Sequence, residues 1–311
     1  MISEALGMKP LMGERKQKFL STLIVSFGAF FGFEVLNYIL ALYQIDAYIL
    51  VSFYVYFFHV FWLTFIFDLH FKKKGVLAYG HLNQAGFKLL KSALRDRVAH
   101  VFNWSYLRHF QNYLVLPGLL YWSIVILLFL NPFKEPLKQG LIVIGSFCMT
   151  VAYWYMKEMF SRNMEAHEWG IKVLALVKVL AAFFIYSATF GLAFYYGFGL
   201  DFLLPAIFCV TFLLIYQALF QHKLLNFNLH FLILGISGAC ALVSYWVYQN
   251  WNWNYLAGAL FVLAVYNTLW GFLHHHLERT LTKKLVFEYT LMLLVVLSLL
   301  LAGNNFDSRI L

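Results

Sequence analysis

Apolar residues in this chain neither alternate nor recur every third or fourth position, but form unbroken runs of about twenty separated by short polar breaks. A helix needs ~20 such residues to cross a ~30 Å hydrocarbon core, and inside a bilayer it satisfies its own backbone hydrogen bonds. The runs predict helices over about 20–43, 47–69, 113–131, 139–160, 171–198, 201–219, 228–250, 254–274 and 284–303. The expected fold is therefore all-α: a polytopic integral membrane bundle of about nine transmembrane helices, forming one transmembrane domain over 1–311.

One long connection, 71–112, breaks the pattern. Within it Phe87, Leu90, Leu94, Val98, Val101 and Ser105 recur at three- and four-residue steps, with Lys88, Lys91 and Arg95 mostly on other faces. This predicts an amphipathic segment on the membrane surface between helices 2 and 3, which anchors the loop to anionic lipid or, in a rarer arrangement, covers a lipid-facing site.

Composition agrees with the runs: 62% of residues are hydrophobic, 20% aromatic and 12% charged, with a mean hydropathy of +0.73, well outside the soluble range. The charges also give orientation. With the N-terminus inside, almost all Lys and Arg fall in the tail and inner loops, and the outer side keeps only Lys134, Lys138 and Arg309. The positive-inside rule then gives N-in and C-out, with 1–19 a cytosolic tail and 71–112 a cytosolic loop. The tail lacks a small-x-small cleavage pattern and reads as retained. The same asymmetry accounts for the net charge of +9 without a nucleic-acid partner; the expected partners are membrane lipids and a hydrophobic small-molecule substrate, in a plasma (inner) membrane. Cys148, Cys209 and Cys240 all lie in apolar runs and read as small hydrophobes.

Ionisable groups inside a span are costly, so each is a functional candidate. Glu34 lies mid-helix with Asn37 and Tyr38 on one face, and Gly28-x-x-x-Gly32 on the same helix invites close approach of another. In the second helix His59 and His70 point the same way but are about 16 Å apart, too far to share one metal ion. Lys178 is the one basic residue that no loop accommodates, and Glu34 or Glu288 is a natural counter-charge.

The densest chemistry lies in 269–289, LWGFLHHHLERTLTKKLVFEY. Continued as helix, it puts Asn267, Gly271, His274 and Glu278 on one stripe, brings His275 within reach of Glu278 or Arg279, and turns His276 elsewhere. Three successive histidines on a helix cannot ligate one metal. A divalent metal site would need His274 or His275, plus Glu278, plus residues from other helices such as His70, His167 or Glu288; His59, His70 and His274 are the candidate histidine ligands. The HxxxH, HxxHH, HExxH and GxSxG patterns are absent. Glu288 pairs with Lys284 four residues earlier, or faces the histidines across the short loop.

These residues predict acid–base or metal-assisted chemistry on a lipid or isoprenoid-like substrate near the cytosolic leaflet, carried by His274, His275, Glu278 and Glu288. Two alternatives stand beside it: an ion- or proton-coupled transporter using Glu34, His59 and Lys178, and a non-catalytic subunit of a membrane complex. No motif decides whether the chain is an enzyme.

Overall fold

The computed structural model describes residues 14–72, 104–130, 135–160, 168–221, 229–250 and 254–303, with side-chain detail over 25–59, 115–130, 135–152, 173–219, 229–250 and 254–303. Nine helices are seen among the described residues: α1 Glu14–Ala41, α2 Ile45–Lys72, α3 Trp104–Leu130, α4 Glu135–Phe160, α5 Glu168–Tyr195, α6 Gly199–Gln221, α7 Leu229–Asn250, α8 Tyr255–Leu277 and α9 Lys283–Gly303. Five contain stretches long and apolar enough to cross a membrane: Val173–Tyr195, Gly199–Leu219, Leu229–Asn250, Tyr255–Leu277 and Lys283–Gly303. Shorter apolar stretches occupy α1, α2 and α3. The protein is a helical membrane protein.

Several boundaries differ from the sequence expectation, among them the start of α1, which reaches back to Glu14 into the expected 1–19 tail. Helix α3 begins at Trp104, so residues 104–112, expected in the interfacial loop, are helical and continuous with the third apolar run. Helix α8 continues to Leu277, a turn beyond the apolar run, because its end is set by a hydrogen-bonded cap and not by polarity. Most of the amphipathic segment lies outside the described residues.

The chain divides into two compact units, Met1–Pro117 with Ile142–Leu174, and Gly118–Leu141 with Ala175–Leu311. In the first, α1 and α2 form an antiparallel hairpin across residues 42–44. Tyr43 adopts φ 56°, and Gln44 N and Tyr43 N donate to the carbonyls of Ile39 and Leu40. These are the two bonds of a Schellman cap, made with tyrosine where glycine is usual. The glycine pair then does what its spacing predicts. A Cβ on Gly32 would lie 2.9 Å from Val55 Cγ1 and 3.5 Å from His59 Nε2, and one on Gly28 would lie 4.0 Å from His59 Cε1. The missing side chains thus make the groove that receives α2. A hydroxyl pair, Ser26 Oγ and Thr150 Oγ1 at 3.1 Å, ties α1 to α4.

The second unit is built round α5, where Ala181, Ala182, Tyr186, Ala188, Phe190 and Ala193 are all fully buried. Helices α6 and α7 pack closely, and α8 packs on both α7 and α9. Between α5 and α8 the contacts keep an antiparallel register. Tyr195 meets Tyr255 with ring centroids 5.6 Å apart, Phe190 lies 3.6 Å from a Cβ placed on Gly258, and Tyr186 meets Tyr266 at 6.1 Å. Helix α9 buries none of its residues and is held to α8 by Tyr289, whose ring covers Gly271.

Candidate functional site

The end of α8 is where the second unit concentrates charge. His274 Nε2 lies 3.4 Å from Glu278 Oε1, one helical turn away, the spacing at which side chains on a helix meet. The indole of Trp270 stacks on the imidazole, centroids 5.5 Å apart and planes 22° from parallel, so the ring is fixed on its face as well as its edge. Its Nδ1 is buried. From α5, the charge of Lys178 acts on the same ring, which extends the α5–α8 register by eight residues beyond Tyr186 and Tyr266. The His274–Glu278 pair is thus within electrostatic reach of Lys178 on the neighbouring helix.

His275 is held differently from expectation. Its Nδ1 is 2.9 Å from Thr280 Oγ1, not engaged with Glu278 or Arg279. The cause is the cap. Thr280 N donates to His275 O, and Arg279 N to His276 O, with Arg279 at φ 57°, a second Schellman motif with a non-glycine residue in the left-handed position. The contact between its first and last residues, usually apolar, is here the His275–Thr280 hydrogen bond. His276 is exposed, as its place on the helix predicts.

Glu288 is exposed and pairs with Lys284 at 3.8 Å, the simpler of its two expected roles. Its neighbour Tyr289 faces α8, 5.9 Å from Phe272 and 6.0 Å from His275. Asn267 is half-buried on the stripe that carries Gly271 and His274.

In the first unit His59 is buried, 5% exposed, in the groove over Gly28 and Gly32. Glu34 is half-buried on α1, whereas Tyr38, expected on the same face, is exposed. His70 falls where side chains are not described. Among the described residues, no three of His, Cys, Asp and Glu gather as a metal-binding group, so His274 and Glu278 have no third ligand of those types among them.

A second polar cluster escaped the sequence. Tyr186 Oη and Thr211 Oγ1 are 2.8 Å apart and fully buried, Thr211 also hydrogen-bonds the Cys240 thiol, and Tyr266 stands edge-on to Tyr186. Four helices contribute one residue each, so no spacing within a helix could reveal it. Cys240, expected as a small hydrophobe, is fully buried beside this pair.

Set against protein-family models, curated proteins and solved structures, the chain matches none of them.

Proposed function

We propose that this chain is an enzyme of the plasma (inner) membrane, with nine spans, N-terminus inside and C-terminus outside, carrying out acid–base chemistry on a lipid or isoprenoid-like substrate at the cytosolic-leaflet end of α8. The observation that carries this reading is the single imidazole of His274 meeting Glu278 of its own helix and the charge of Lys178 from α5. Glu278 holds the proton on Nε2 and thereby fixes the tautomer, leaving buried Nδ1 as the atom that exchanges a proton with substrate. Lys178 supplies positive charge to an oxyanion formed nearby. Trp270 excludes water from one face of the ring. His275 and Tyr289 complete the wall. A metal-assisted version would draw on ligands beyond His274 and Glu278.

Proton-coupled transport is the second reading. It is favoured by the Tyr186–Thr211–Cys240–Tyr266 network, which lies eight residues, about 12 Å, further along the same two helices from Lys178 and His274. A shared path would need both groups.

The two are separated by incubating the purified protein in nanodiscs with a total membrane-lipid extract and following products by mass spectrometry, beside a proton-flux assay in liposomes. Lipid conversion that disappears in His274→Ala supports the enzyme. Conversion unaffected by His274→Ala, or proton flux without conversion, overturns it.

A further inference from the structure

We infer that the α8–α9 turn and the adjoining face of α9 form a binding site for one anionic phospholipid. The carboxylates near this turn are both engaged, Glu278 with His274 and Glu288 with Lys284. Arg279 and Lys283, both exposed, four residues apart and without ion pairs of their own among the described residues, straddle the turn.

What lies beneath them gives the ligand its shape. From Lys283 a stripe at four-, four- and three-residue steps runs down α9 through Phe287, Leu291 and Leu294, which are 66%, 48% and 56% exposed. These spacings keep to one face of a helix. The whole helix buries none of its residues, so the stripe is open along its length directly below Lys283. A ligand that fits is therefore a molecule with a phosphate at one end and a hydrocarbon chain at the other. Net negative charge follows from the cations: a zwitterionic headgroup would bring its own ammonium beside Arg279 and Lys283, whereas a phosphatidylglycerol-type headgroup would not. The site does not depend on the chemistry proposed for His274.

The experiment is native mass spectrometry of the detergent-purified full chain, titrated with phosphatidylglycerol, phosphatidylcholine or glycerol phosphate. One phosphatidylglycerol is expected to remain bound at least about tenfold more strongly than phosphatidylcholine, and the double variant Arg279→Gln/Lys283→Gln is expected to remove that preference. Lys138→Gln, at the start of α4, should leave it unchanged. Phe287→Ala/Leu291→Ala should weaken both lipids alike, and glycerol phosphate should not displace bound lipid. Equal retention of the two lipids, a preference that survives the double glutamine variant, displacement by glycerol phosphate alone, or a stable dimer that excludes lipid from α9 would each overturn the site.

Discussion

The aromatic ring of Tyr289 occupies the place that a side chain on Gly271 would take: a Cβ there would stand 2.5 Å from Cε1 and 2.6 Å from Cζ of the tyrosine. Helix α9 has no buried residue of its own, so this contact is central to its attachment to α8. Gly271→Ala is expected to loosen α9, at a cost of about 1–3 kcal/mol as an overpacking substitution. Removing the ring as well, in Gly271→Ala/Tyr289→Ala, should cost less than the two single changes added. Denaturation in micelles with hydrogen exchange over 283–303 measures both; additive costs would show that ring and glycine are not coupled.

The two glycines of α1 should behave unequally. Gly32→Ala brings a methyl to 2.9 Å from Val55 Cγ1, a short branched side chain with little freedom to move, and should destabilise the α1–α2 hairpin by about 1–3 kcal/mol. Gly28→Ala meets nothing nearer than 4.0 Å and should be neutral or stabilising by up to ~1 kcal/mol through helix propensity. Thermal unfolding of the two variants side by side tests the difference, and equal effects would refute the groove.

Removing the Tyr186 hydroxyl leaves buried Thr211 with one partner fewer. Tyr186→Phe should cost about 1–2 kcal/mol, and Tyr186→Phe/Thr211→Val less than the sum of the separate changes, because both ends of one hydrogen bond are then gone. If the bond contributes nothing, the double variant will be additive.

Glu278→Gln keeps the shape of the α8 end but removes the charge that fixes His274. Turnover in the lipid-conversion assay is expected to fall about tenfold, and by about 100-fold or more in His274→Ala. Thr280→Val, which frees only His275, should fall by less than either. A Glu278→Gln variant with full turnover would remove the carboxylate from the chemistry.

Much of this protein is legible without coordinates. Runs of ~20 apolar residues locate the helices because a bilayer imposes that length and leaves the backbone no other way to satisfy its hydrogen bonds. Spacing within one helix was equally readable: His274 with Glu278, His276 turned away, Glu288 with Lys284 and the close approach at Gly28 and Gly32 all follow from 3.6 residues per turn. What the tertiary structure decided is everything that joins helices distant in sequence. The approach of Lys178 to His274, the Tyr186–Thr211 hydrogen bond beside Cys240 and Tyr266, and the choice of Tyr289 over Glu288 as the residue facing α8 depend on the rotation and register of packed helices. In a chain whose helices are apolar nearly all round, no single polar face fixes that rotation, so it is set by which large side chain finds which small one.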